Sequence, residues 1–273
     1  QIRARPEIDD SCLKGDFPEE AQRAFGEAVI RAYGYDFTRG RQDKTAHPFM
    51  TKLGLGDVRI TTRYRTDDLS EGLFSTLHEA GHAFHAQATR EEDLYAYRGA
   101  PIEFCEVASM AMELLGNEFL EEFYPTPEAN RARKTHLEGI IGFFPWMATV
   151  DAFQHWIYSH PGHTRAERTA AWLALMDRFG GDTDWSGHED ARANLWHKQL
   201  HIFLYPFYYV EYAIAQLGAL QVWANSKRDK AAALAQDRAG LAALRGGMRR
   251  RLVVVALQPL FLGVAGRFPL AHD

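Results

Sequence analysis

His78, Glu79 and His82 stand in the run His-Glu-Ala-Gly-His. Residues four apart on a helix share a face, so His78 and His82 can put two imidazoles on one metal ion. Glu79, between them, is then placed to take a proton from a water that the metal activates. The pattern also arises by chance as two exposed helix histidines, and its surroundings favour the chemical reading. A catalytic zinc takes three protein ligands and keeps a fourth position open. The third is sought in the apolar, small-residue run Ile102–Leu115, which follows the breaker cluster Gly99-Ala100-Pro101. Pro101 suits a first helical turn. Glu103, Glu106 and Glu113 fall on roughly one face of that run, a costly placement unless something pairs with them. Glu106 is the expected ligand, with one Zn2+ per chain. Glu113, two turns later, either accepts the second proton of a ligand histidine or pairs with an arginine elsewhere. Glu103 is read as a solvated acid favoured by the helix dipole.

The elements that must position these groups are mostly helices. Leu73, Leu77, Ala80 and Phe84 recur at helical spacing across 69–89, which gives the His-Glu-Ala-Gly-His helix a core-facing stripe. Further helices are predicted over 18–34, 101–123, 127–158, 165–179, 189–203 and 206–225. Pro125, Pro127 and Gly180-Gly181 mark connections. Ahead of the metal helix, a loop with Gly40 and Pro48 leads to Val58, Ile60, Thr62 and Tyr64. These alternate with Arg59, Thr61 and Arg63, the pattern of a half-buried strand. Such a strand beside a metal is suited to pairing with extended peptide backbone. The expected class is mainly α: a helical zincin catalytic domain with a small β-sheet or hairpin ahead of the metal-binding helix.

The run from His78 to His85, followed by Phe104-Cys105-Glu106-Val107-Ala108-Ser109-Met110 and Glu113, closely resembles oligoendopeptidase F of the thimet-oligopeptidase family. Asp151–Tyr158, Trp185-Ser186-Gly187, His201-Ile202-Phe203 and Pro206–Ala219 follow in the same order, so the likeness covers roughly residues 74–225. It implies zinc on His78, His82 and Glu106, with Glu79 as general base. It also implies that a late histidine and tyrosines, here His201, Tyr209 and Tyr212, bind substrate and stabilise the oxyanion. Tyr208 and His85 are assigned to substrate contact. The front is similar to a second family, carboxypeptidase Taq, through His47-Pro48-Phe49 and Asp57, Arg59 and Thr61. That likeness is expected to run to about residue 77. The later His-Glu-Ser-Gln motif of that family has only a partial echo in Gly187-His188-Glu189-Asp190.

Composition fits a globular enzyme, with 46% hydrophobic and 25% charged residues among 273. A net charge of −5 gives no support for nucleic-acid or membrane binding. Cys12 and Cys105 form no recognisable pair, and Cys105 reads as a core residue. No charged-then-apolar leader opens the chain, which predicts a cytoplasmic protein. The expected organisation is one catalytic domain over 1–273, with a front segment 1–68, the site-bearing helices 69–225 and a tail 226–273. Its apolar stretch after Arg249-Arg250-Arg251 is too short for a membrane span. Relatives in both families are longer, so a homo-oligomer or a further N-terminal region is expected to complete the substrate channel. Short peptides are the expected substrates, cut at internal bonds by a zinc endopeptidase. The alternatives are a zinc carboxypeptidase and a zincin remnant that has lost turnover.

Overall fold

The computed structural model describes residues 9–95, 98–99 and 102–243. They fall into two compact units: one built from the chain up to Arg133 and again from Ala215, the other from Lys134–Ile214. The expectations for 249–273 lie outside the described residues, and Glu103 has no described side chain.

The first unit opens with α1 (Glu19–Ala32), which ends at Gly34 in the left-handed region, φ 104°. A three-stranded sheet follows: β1 (Gly40–Lys44), β2 (Phe49–Gly54) and β3 (Asp57–Thr62), in the order β1-β3-β2. β3 pairs parallel with β1 and antiparallel with β2, so Ile60 lies opposite both Gln42 and Met50. The alternation read in the sequence holds only over the first part of β3, where Val58 and Ile60 are buried beside half-buried Asp57 and Arg59; Thr61, expected on the open face, is buried as well. The loop expected ahead of it is instead two strands. β3 is the central strand, with both backbone edges already paired, and it cannot offer an edge to an extended peptide. β1 and β2 form the edges.

α2 (Leu69–Ala88) carries the metal motif. Asp68 caps it, its carboxylate accepting the Ser70 N–H at 3.0 Å. Leu69, Leu73, Leu77 and Ala80 are each 1% exposed or less and pack with Ile30, Ile60 and Leu115 in one core. Thr76 ties the helix to the sheet, its hydroxyl meeting that of Thr62 at 3.0 Å. α3 (Ile102–Gly116) packs along α2 and passes into a 3-10 segment, Asn117–Glu122, rather than running as one helix to 123. The change falls at Gly116, where a Cβ would sit 2.1 Å from Leu77 Cδ1. Arg133 Nε takes the Asn117 carbonyl at 2.7 Å, satisfying a group the helix has released. α9 (Lys230–Ala243) also packs on α2 and α3.

α4 (Thr126–Ser159) runs on into the second unit, where α5 (Arg165–Phe179) opens with a capping box between Thr164 and Glu167. Met147, Val150, Phe153, Trp172 and Trp196 form this unit's own core. The helix expected over 189–203 is broken into α6 (Glu189–Asn194), a 3-10 turn Leu195–Lys198 and α7 (His201–Leu204). The break lets Trp196 enter the core, and Trp146 Nε1 donates to Gln199 Oε1 at 3.2 Å in the interruption. The helix expected over 206–225, α8 (Val210–Ser226), starts four residues later because Phe207 takes φ 60° in a turn. Among the described residues no helix is long and apolar enough to cross a membrane.

Candidate metal centre

Two helices bring the metal-binding groups together because a glycine lets them touch. A Cβ on Gly81 would meet Ser109 Cα at 2.3 Å and the Ala108 carbonyl oxygen at 2.5 Å. Only a residue without a side chain fits, and the resulting approach carries Glu106 of α3 to the histidine face of α2. His78 Nε2 and His82 Nε2 lie 3.5 and 3.8 Å from Glu106 Oε2, and one donor atom from each of the three residues falls within 4.8 Å of the others. Donors each about 2.1 Å from a tetrahedral ion would stand about 3.4 Å apart, so the observed spacing fits a single ion. Two imidazoles and one carboxylate form a donor set suited to a hydrolytic zinc.

Neighbouring groups fix the ligands. Glu113 Oε1 is 2.6 Å from His78 Nδ1, so a proton on that nitrogen would be held by the carboxylate, and Nε2, which faces Glu106, would be the ligand atom. Of the two roles open to Glu113, the structure shows the contact with a ligand histidine. Ser109 Oγ lies 3.2 Å from Glu106 Oε2 and holds that carboxylate. Glu79 is buried and accepts the backbone N–H of Met50 on the edge strand β2. Neither Gly81, Ser109 nor Met50 stood out in the sequence: Gly81 and Met50 act on partners far away along the chain, and Ser109 reads there as one more small residue of an apolar run.

The electrostatics of the protein alone are those of a site built for a cation. Burial pulls the His78 imidazolium down, but the Glu113 hydrogen bond and the charges of Glu113, Glu106 and Glu79 outweigh it and raise the ring to about 9. Burial, then repulsion from His78, drives His82 down to about 3. Glu79 is pushed up to about 7, first by burial and then by Glu106 and Glu113, against the pull of His78. Burial also raises Glu106. Three carboxylates and two imidazoles share one enclosed space, and a dication there would neutralise the excess.

The remaining site candidates are placed as follows. His85 is 3% exposed, with Nδ1 3.8 Å from Cys105 Sγ, inside the α2–α3 contact rather than open to a peptide. His201, Tyr208, Tyr209 and Tyr212 gather in the second unit. The His201 ring stacks on Tyr208 at 5.5 Å and lies 5.1 and 5.8 Å from Tyr209 and Tyr212. Gln199 donates to His201 Nδ1 at 2.6 Å. The cluster forms through the turn at Phe207 rather than along one helix, and Tyr209 is buried against Phe143.

Residues 70–249, more than half of the chain, match the family model described as Peptidase family M3. The chain belongs to peptidase family M3. Its front matches a second metallopeptidase family, Carboxypeptidase Taq (M32), over residues 1–126. The two likenesses overlap through α2 and the whole of α3 instead of meeting near residue 77, so the helices of the metal centre are common to both.

Thermostable carboxypeptidase 1 of Thermus thermophilus is 44% identical over 122 residues, covering 43% of this chain and 24% of that protein. Carboxypeptidase 1 of Bacillus subtilis is 46% identical over 79 residues, 29% of this chain and 16% of that protein. Among solved structures, an oligoendopeptidase F superposes with TM-score 0.73 at 25% identity, covering 96% of this M3 chain and 47% of that one. The M32 carboxypeptidase of Deinococcus radiodurans gives TM-score 0.70 at 26% identity, with 97% and 61% covered. The M3 chain thus spans about half the length of the oligoendopeptidase F chain and matches about a quarter or less of the two carboxypeptidases.

Proposed function

We propose that this chain is the zinc-binding catalytic part of a metallopeptidase that hydrolyses short peptides at internal bonds. The observation that carries the reading is the convergence of His78, His82 and Glu106 on one point, with the Glu79 carboxylate beside it. Zinc held there would supply Lewis-acid activation of water and of the scissile carbonyl. Glu79 takes the proton of the attacking water and later delivers it to the leaving amine. Its carboxylate is aimed by the Met50 N–H. Glu113 keeps His78 in the tautomer that leaves Nε2 free, and Ser109 steadies Glu106. His201 and Tyr212 serve as donors to the negative charge that develops on the carbonyl oxygen, with Tyr209 and Tyr208 orienting them.

A second reading is favoured by a specific finding: the front of the chain, with its His-Pro-Phe and Asp-x-Arg-x-Thr motifs, matches the carboxypeptidase Taq model, and the chain is similar to proteins named carboxypeptidases. On that reading, single residues leave from the C-terminus. Mass spectrometry of products from a mixed peptide library, with zinc quantified in the same sample, tests both. Internal fragments support the endopeptidase, and single C-terminal residues support the carboxypeptidase. A zinc-loaded protein that leaves every peptide intact would reject both.

A further inference from the structure

β2 touches Glu79 at Met50 and, two residues on, begins to line a cavity of about 530 Å3 between the β2–β3 turn and the end of α2. Lys52, Arg90 and Arg98 line it, and among the described residues its lining carries no acidic side chain. Lys52 Nζ donates to the Arg98 carbonyl at 3.2 Å. Arg98 in turn donates to the carbonyls of Glu92 and Asp93, at 2.6 and 3.4 Å. Arg90 makes a long contact, 3.9 Å, to the exposed Glu91, and its charge also reaches Asp36. The contrast with nearby arginines is plain: Arg41, Arg59 and Arg65 each hold an aspartate at 2.7–2.9 Å. Three cationic residues line a cavity whose described lining holds no carboxylate, and Lys52 and Arg98 repel each other there, an arrangement that a bound anion would relieve. Desolvation and the Arg98 charge depress the Lys52 ammonium, against an opposite pull from Cys105.

The rim is apolar. Leu53, Leu55 and Tyr95 line the same cavity and are 60%, 71% and 82% exposed. Exposed leucines and a tyrosine around a cationic wall suit an organic anion with apolar neighbours better than a free inorganic ion. The cavity shares an element with the metal centre: Ala86, four residues after His82 on α2, lines it.

We propose that this cavity is a subsite for a carboxylate carried by the peptide substrate, with Lys52, Arg90 and Arg98 as its cationic wall and Leu53, Leu55 and Tyr95 receiving the flanking apolar groups. The inference rests on the peptidase reading and adds a substrate class to it, acidic peptides. The carboxylate can come from a side chain or from the C-terminus, and the test separates them. Four labelled peptides of equal length carry glutamate or glutamine centrally and a free acid or amide at the C-terminus. Fluorescence anisotropy reads their binding to the full chain in chelator, where no turnover interferes.

A peptide with neither carboxylate is expected to bind at least tenfold more weakly than the best of the others. The single-charge peptide that retains tight binding names the source. Lys52→Gln and Arg90→Gln, each checked for an unchanged melting temperature, should erase the preference and leave the neutral peptide's affinity as it was. Equal binding of all four peptides, or a preference that survives Lys52→Gln, Arg90→Gln and Arg98→Gln combined, would overturn the proposal. Cleavage of the neutral peptide by zinc-loaded protein is scored separately. Its absence counts against the peptidase reading, whereas lost discrimination in binding counts against the subsite alone.

Discussion

Gly81 on α2 lies directly against the backbone of Ser109 on α3, so closely that a methyl group there would stand 2.3 Å from Ser109 Cα. The contact fixes the separation of the two helices that carry the metal ligands. Gly81→Ala must push them apart, and overpacking of this kind costs about 1–3 kcal/mol. The variant should melt at lower temperature and bind zinc more weakly than the wild type. Unchanged zinc affinity measured by competition with a chelating dye would show that the spacing is set elsewhere.

Glu113 contacts His78, and on the proposed reading it acts on the metal through that ring. Removing such a partner of a liganding histidine commonly lowers metal affinity about 10–100-fold. Glu113→Gln should show a loss in that range, since an amide at 2.6 Å no longer draws the Nδ1 proton as a carboxylate does. An affinity equal to the wild type would mean that the ring is held by packing alone.

Asp68 caps the helix that carries His78 and His82, and it also receives Lys14 Nζ at 2.5 Å. Asp68→Ala should cost about 1 kcal/mol, while Asp68→Asn keeps an acceptor and should cost less. Burial raises the Asp68 carboxyl, but Lys14 and Ser70 outweigh it and hold the group below 3.8. A depressed carboxyl contributes stability above its unfolded pKa and loses it as pH falls through the folded value. Denaturant midpoints of wild type and Asp68→Ala should therefore converge as the medium is acidified below pH 4. A gap that stays constant down to pH 2 would contradict this.

Much of the site was legible in the sequence. Leu73, Leu77 and Ala80 at helical spacing marked α2, and an acid amid the apolar residues of α3 marked Glu106. β1 was not legible, because Gly-Arg-Gln-Asp-Lys buries only Gln42 and pairs on one side. β2 escaped for a related reason: an edge strand with a largely exposed face shows little period-two pattern. The break near Gln199 and the turn at Phe207 arise from tertiary demands, the entry of Trp196 into a core and the closing of His201 on three tyrosines. Gly81 could be read only as a mildly unfavourable helix residue, since Ser109 is distant in the chain.

Two buried tyrosines contribute to the alkaline side. Burial pushes Tyr35 and Tyr124 up to about 12, and each donates its hydroxyl to a carbonyl, Val58 at 2.6 Å and Leu13 at 3.0 Å. A raised phenol favours the folded state while it stays protonated, so its contribution is complete below pH 10 and is lost as pH rises toward 12. Melting temperature should fall across that window, and less steeply in Tyr35→Phe, which starts from lower stability. An equal slope in the variant would assign the alkaline loss to other groups.

The most direct measurement compares peptide turnover by wild type and Glu79→Gln at matched zinc content. Glu79 stands beside the three ligands but is not one of them, so the variant should keep one zinc per chain. Removing a general base costs about 10²–10⁴-fold in rate. The expected result is equal zinc in both proteins and turnover reduced at least a hundredfold in the variant. Turnover retained in Glu79→Gln at full zinc occupancy would contradict the account.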